Sequence, residues 1–363
     1  MLKVTTAPMT RIYLDHAATT PVIAAAREAY DQALDAWSNP NSPHNEGRGC
    51  NALLERARET LKSVLGWRHD VIFCSGASEA VEIAGRRAII AGRAYGATEH
   101  AIVPFAMGGR AQVLPVDGEG LIDEAELDAL LATGPALIAI QHVNNETAVI
   151  QPIERIADKV RAAGSLLLAD CAQSASKLPL PDADFIAICA HKLGGPPGIG
   201  ALLVKDLATL EPSGGGQEKG YRRGTQDVPG ACAFAAALAA KPYDMAKMAV
   251  LRERLEAGVK AAGGTIIAER APRAPTIGAI ALPGATSIAM LVQLDLAGIA
   301  VSAGSACSSG KAKASHVLAA MNLPADVVGS YLRLSFGPGT SAADVDGFLA
   351  EFSRLAERQR AAA

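Results

Sequence analysis

Five short runs of almost unbroken apolar residues constrain this chain more than any other feature. They are VIFC (71–74), ALIAIQHV (136–143), SLLLAD (165–170), DFIAICA (184–190) and IGALLV (199–204). A strand with one face in water alternates apolar and polar side chains, whereas these runs are apolar on both faces and must be covered from both sides. Segments of helical spacing lie between them: EAVEIAGRRAII follows VIFC after the tight turn SGAS (75–78), and IERIADKVRAAG spans 153–164. The alternation predicts an α/β fold with a largely parallel sheet wrapped by helices. Upstream, Leu53, Leu54, Ala57, Leu61, Val64 and Leu65 keep helical spacing after Asn45, with Gly66 where a C-terminal cap belongs.

A chain of 363 residues exceeds the size at which single cores stop growing, about 250–300 residues, so one large and one smaller domain are expected. From Asp227 to Ala262 the pattern is helical almost throughout, broken near Pro242, and reads as a connector. Beyond it TIGAIAL (276–282), a helix near 286–297, GIAVS (298–302), a helix near 314–321, YLRLSF (331–336) and a closing helix from Ser341 read as a compact α+β unit. Half of the residues are hydrophobic, a fifth are charged and the net charge is −3, which excludes a disordered polyelectrolyte and gives no footprint for nucleic acid. MLKVTTAPMTRIYLDH lacks the apolar core of a signal peptide, and no apolar run reaches the roughly 20 residues needed to span a bilayer. A cytoplasmic protein is expected. Cysteines 50, 74, 171, 189, 232 and 307 form no CxxC pair, so they read as free thiols rather than a zinc site, and no metal is expected.

In open α/β sheets ligands sit beyond the C-terminal ends of parallel strands. SGAS ends a strand and opens a helix, where backbone N–H groups and the helix dipole can hold a phosphate, or where the residues merely cap. No GxxxxGK[ST] or GxGxxG occurs to suggest a nucleotide. Asp170 ends SLLLAD, and Lys192 comes after another apolar strand beside His191, ahead of a turn rich in glycine and proline. A lysine there either snorkels to water or serves as the uncharged amine that Schiff-base chemistry requires. A phosphate site, a carboxylate for a pyridine nitrogen and such an amine together suggest pyridoxal phosphate. His100 in ATEHAIV (97–103) could stack on that cofactor or carry protons. Cys307, among small and polar residues near Lys311 and Lys313, could be a reactive thiolate. Arg333 in YLRLSFG could grip a substrate carboxylate or pair on the surface.

Ten segments now carry a resemblance that runs in order from residue 12 to beyond 340. They are IYLDHAATTPV (12–22), NPNSPHNEGR (39–48), FCSGASEA (73–80), TEHAIV (98–103), HVNNETAVIQPI (142–153), ADCAQSASKLPL (169–180), HKLGGPPGIGALLV (191–204), GGGQEKGYRRGTQDV (214–228), SAGSACSSG (302–310) and YLRLSFG (331–337). Together they resemble the cysteine desulfurases of the NifS/IscS type, which are class V, fold-type I pyridoxal phosphate enzymes. The resemblance implies a large, mostly parallel, seven-stranded-type sheet domain over 15–245. It also implies a smaller α+β domain over 246–363, with residues 1–14, carrying the cysteine loop and the substrate arginine.

The same resemblance implies individual roles. Lys192 would carry the internal aldimine and move the substrate Cα proton, Asp170 would keep the pyridine nitrogen protonated, and Gln173 would bond the phenolic oxygen. His100 would stack on the ring and manage protons. Ala77, Ser78 and His191 would hold the phosphate, with Thr225 reaching across from a second subunit of a homodimer. Asn145 and Arg333, with Asn39, would bind the carboxylate of L-cysteine, and Cys307 would take its sulfur as a persulfide while alanine leaves. The sulfur would pass to an acceptor such as an iron-sulfur scaffold. Three departures stand out: Cys189 replaces the family's usual phosphate-binding Ser, Ala148 stands where Gly is common, and the long tail used to dock a scaffold is lacking. The rival readings are a selenocysteine lyase, another class V enzyme such as an aminotransferase, and a catalytically dead relative acting as a binding subunit.

Overall fold

The computed structural model describes residues 11–303 and 315–362. Its strands are β1 (Ile12–Tyr13), β2 (Asp70–Cys74), β3 (Gly92–Gly96), β4 (Gln112–Leu114), β5 (Ala136–Gln141), β6 (Leu166–Asp170), β7 (Phe185–Cys189), β8 (Gly200–Val204), β9 (Thr265–Ile266), β10 (Ile277–Ala281), β11 (Ile299–Ala300) and β12 (Tyr331–Ser335). Seven of them form one sheet in the order β2-β8-β7-β6-β5-β3-β4. Neighbours from β7 to β4 are parallel, whereas β8 is antiparallel to both β7 and β2. Two successive reversals leave β2 pointing the same way as β7. The C-terminal ends of β2, β3, β5, β6 and β7 therefore share one edge.

The apolar runs are buried on both faces because successive side chains point to opposite sides. Ile138, Ile140, Leu167, Ala169, Ile186 and Ile188 enter one core with Leu54 and Leu61 of the helix Asn45–Leu65, Ile156 and Val160 of Ile153–Ala162, and Phe234 of Val228–Ala240. The intervening Leu137, Ala139, Leu168, Phe185 and Ala187 enter another with Val81 and Ala84 of Ala77–Arg87 and Val103 and Ala106 of Ile102–Met107. Gly66 caps the helix Asn45–Leu65 at φ 67, its N–H donating to Lys62 and Ser63 carbonyls.

The predicted connector is two helices, Val228–Ala240 and Met245–Ala261, each N-capped by an aspartate, Asp227 and Asp244. A second, antiparallel sheet of order β12-β10-β9 and the parallel pair β1-β11 match the expectation for the C-terminal part. They pack on a separate core that includes Leu14, Leu251, Leu255, Leu294, Leu334 and Phe352. Bridges from Asp15 to Ser335 and from Ser302 to Arg333 tie the N-terminal strand and the residues after β11 to β12.

Strands β3 and β4 escape the sequence pattern. GRAYG carries two glycines, which are poor strand formers, and QVL is only three residues long, so β3 is defined by its pairing with β5 and β4 by its pairing with β3. Ala148 is buried at φ 68, in the left-handed region that favours glycine, which accounts physically for the glycine common there.

Gly200 fixes the distance between β8 and the turn after β2. A Cβ at Gly200 would lie 2.5 Å from the Ile188 carbonyl oxygen and 2.6 Å from Gly76 Cα. Gly200→Ala should therefore lower stability by about 1–3 kcal/mol, read as a shift of the urea midpoint with unchanged slope. An unmoved midpoint would show that the contact is slack.

Candidate active site

A cavity of about 480 Å³ opens at the edge where the strand ends meet. Ala77, Ser78, His100, Asp170, Cys189, His191 and Lys192 line it, together with Gln173, Asn145 and Arg333. The structure thus brings together ten of the residues singled out in the sequence. Asn39 and Thr225 are exposed and do not line the cavity. Cys307 lies outside the described residues.

At one end the helix Ala77–Arg87 begins without a side-chain cap, its N-cap Gly76 extended at φ 157 and ψ 179. The first-turn N–H groups of Ala77 and Ser78 have no intrahelical acceptor, and they suit an anion. Across from them stand Cys189 and His191. Burial, then Lys192 and Lys177, push the His191 imidazole down to about 4. It is therefore neutral at pH 7, with Nδ1 3.3 Å from Thr19 Oγ1. Burial pushes the Cys189 thiol up, so it remains an S–H, a weak donor.

In the middle, Asp170 ends β6 with Oδ1 accepting from the Ala172 N–H at 2.9 Å. Gln173 donates Nε2 to the Ala17 carbonyl at 2.9 Å, while its buried Oε1 has no partner among the described residues. Burial pushes His100 down, the Asp170 carboxylate opposes this, and Lys192 and His316 add to it. The turn that carries His100 is fixed by Glu99, whose Oε1 accepts from the Gln141 N–H at 2.8 Å and whose carboxyl burial drives well above the usual range. Lys192 comes just after β7 and is half-buried on the cavity wall. Its main-chain carbonyl faces the hydroxyls of Thr20 and Tyr243, each at 3.3 Å, and the Thr20 N–H donates to the His191 carbonyl at 2.8 Å. The backbone at the root of the side chain is thus held.

At the other end Arg333 is only 3% exposed. It donates Nη2 to Asp15 Oδ1 at 2.9 Å and Nη1 to the Asn145 carbonyl at 3.0 Å, and Nε has no partner among the described residues. Ser302 Oγ also donates to Asp15 Oδ1, at 2.9 Å. A buried guanidinium held on two sides, with donor capacity left over, is prepared for a carboxylate.

Asp15, Thr20, Tyr243 and Glu99 have no individual signal in the sequence. Asp15, Thr20 and Glu99 lie inside recognisable segments, but their partners are remote along the chain.

Pyridoxal phosphate fits these residues. Unpaired N–H groups at a helix start, a carboxylate at a strand end, an amine on the wall and the buried Gln173 amide, with Oε1 unpartnered and one Nε2 N–H to spare, are what its phosphate, pyridine nitrogen, aldehyde and ring substituents require. A hydroxyl is a better donor than a thiol, so Cys189→Ser should tighten binding of pyridoxal phosphate to the cofactor-free protein about fivefold, ~1 kcal/mol. Fluorescence titration measures this, and an unchanged affinity would remove Cys189 from the phosphate site.

The family model for class-V aminotransferases matches residues 12–348. A cysteine desulfurase of Cereibacter sphaeroides is 33% identical, with 97% of each chain covered. Cysteine desulfurase IscS of Dictyoglomus turgidum is 30% identical over 96% of this chain and 95% of the relative. Among solved structures, a NifS-like protein from Rickettsia africae superposes with a TM-score of 0.88 at 28% identity, covering 96% of this chain and 99% of that one. With the cavity residues and the fold in agreement, the chain belongs to the class-V aminotransferase family, whose enzymes depend on pyridoxal phosphate.

Proposed function

We propose that this protein is a cysteine desulfurase, converting L-cysteine to L-alanine and taking the sulfur onto Cys307 as a persulfide. The observation that carries the reading is the placement of Lys192, Asp170 and the helix start at Ala77 in one cavity with the buried Arg333. The near full-length likeness to enzymes named cysteine desulfurase supports it.

Bound pyridoxal phosphate supplies an aldehyde for an amine and a ring that withdraws electrons from the substrate Cα. In this reading the chain's own residues do the rest. Ala77, Ser78, Cys189 and His191 bind the phosphate, and Asp170 holds a proton on the pyridine nitrogen. Gln173 faces the ring's oxygen substituent, and its Nε2 keeps one N–H beyond the one given to Ala17. Arg333 and Asn145 orient the substrate carboxylate, Arg333 being prevented by Asp15 from turning away. Lys192 Nζ takes the Cα proton. His100, which burial keeps neutral, receives the proton of the substrate thiol. The Cys307 thiolate then attacks the substrate sulfur: an S–S bond forms, the Cβ–S bond breaks, and its electron pair stays with the carbon skeleton, which takes up protons at Cβ and Cα and leaves as alanine.

Asn39, exposed and outside the cavity lining, is proposed as a further ligand of the substrate carboxylate. A homodimer is proposed in which exposed Thr225 reaches the partner's phosphate site, and the division at 245 and 246 is supported by the separate core that holds Leu251 and Phe352. Among the described residues no helix is long and apolar enough to cross a membrane. We place the protein in the cytoplasm, donating sulfur to an acceptor protein such as an iron-sulfur scaffold.

Purified protein given L-cysteine and a reductant should release alanine and sulfide in equal amounts. Cys307→Ala should bind cofactor and L-cysteine with unchanged affinity and release neither product above background. Full turnover by that variant would remove the nucleophile, and alanine formed only from L-selenocysteine would turn the reading to a selenocysteine lyase.

A further inference from the structure

The proposed chemistry gives no task to Lys177, a buried lysine next to the cavity. It lies in the segment after β6 and is 8% exposed. Its ammonium sits over the face of Tyr243, 4.5 Å from the ring centroid. The Tyr243 hydroxyl is 2.7 Å from Thr20 Oγ1, and both hydroxyls face the Lys192 carbonyl at 3.3 Å. One proton chain therefore ends on the root of Lys192, and Lys177 covers the ring that closes it.

We propose that Lys177 is a positioning residue for Lys192, holding the Tyr243–Thr20 clamp on the Lys192 backbone through a cation–π contact with the Tyr243 ring. The inference rests on the reading of Lys192 as the cofactor-bearing amine. Burial, and then the nearby Lys192, push Lys177 down to about 7, while Cys189 opposes them. The imidazoles of His16 and His191 share this field, and each is pushed down to about 4 with Lys177 among the causes. Asp15 acts on His16 in the opposite sense. Tyr243, pushed up to about 12 by burial, stays a neutral phenol throughout. Above about pH 7 the ammonium is lost, the attraction to the ring goes with it, and the clamp loosens.

The rate at which cofactor-free protein regains its visible absorption band with pyridoxal phosphate, measured against pH, tests this without using turnover. The wild-type profile should carry an inflection near pH 7, slower on the alkaline side. Lys177→Met should lose that inflection and incorporate the cofactor about three- to tenfold more slowly at pH 6. Lys177→Arg, a permanent cation, should restore the acid-side rate and keep it through pH 9. An unaltered profile in Lys177→Met, or an Arg variant no better than the Met variant, would overturn the proposal. A wild-type protein that gains no band at all would instead overturn the reading of Lys192 on which it rests.

Melting temperatures give an independent check that the Met variant is folded. In the unfolded chain Lys177 titrates near 10.4, so between about pH 7 and 10.4 the unfolded state binds a proton that the folded state has released. Wild-type stability from this group therefore rises across that window. The Met variant should gain on wild type as pH falls from about 10 to 7. A gap that moves the other way would contradict the buried, proton-poor placement of Lys177.

Discussion

Parallel strands must be joined by crossovers that bring the chain back to the edge from which it started, so every strand ends on the same side. This constraint places Cys74, Gln141, Asp170 and Cys189, the last residues of β2, β5, β6 and β7, along one edge. The segment leaving each strand then becomes a wall of the same cavity: the start of the helix Ala77–Arg87, the turn through Asn145, Gln173 and Lys192. Strand β8 would break the pattern if its reversal were single. Because β2 reverses again, the turn that follows it returns to the common edge.

Electrostatics divide the cavity into unlike ends. Around Lys192 gather Lys177, His191 and His16, a group in which burial and mutual repulsion disfavour protons. Asp170 brings the opposite sign to the same cavity. At the far end the Arg333 guanidinium is spread over Asp15 and a backbone carbonyl, which fixes its plane without consuming all its donors. Asp15 also receives Ser302, so β12, the residues after β11 and the N-terminal strand meet on one carboxylate. Loss of that carboxylate leaves a buried cation unpaired, a heavier cost than loss of a surface ion pair.

Residues whose meaning is local were legible in the sequence. A lysine, Lys192, soon after an apolar strand and beside His191, a carboxylate closing SLLLAD and a helix start directly after VIFC are features that a sheet's own pattern exposes. The helix capped by Gly66 and the paired helices around Pro242 were legible for the same reason. Residues whose meaning is a distant partner were not. Asp15 matters because of Arg333, 318 positions away, and Tyr243 because of Thr20, 223 positions away. Lys177 looks like an ordinary loop lysine until Tyr243 covers it. Strand β3 depends on β5 and β4 on β3 for their definition, glycines hiding the first from any propensity and shortness the second.

The central claim is that the sheet edge delivers Lys192, and no other lysine, to the cofactor. Borohydride reduction of the pyridoxal phosphate-loaded protein, then digestion and mass spectrometry, fixes the cofactor to whichever amine holds it. The account requires the pyridoxyl mass on the peptide containing Lys192 alone. The mass on Lys177, or spread over surface lysines, would contradict it.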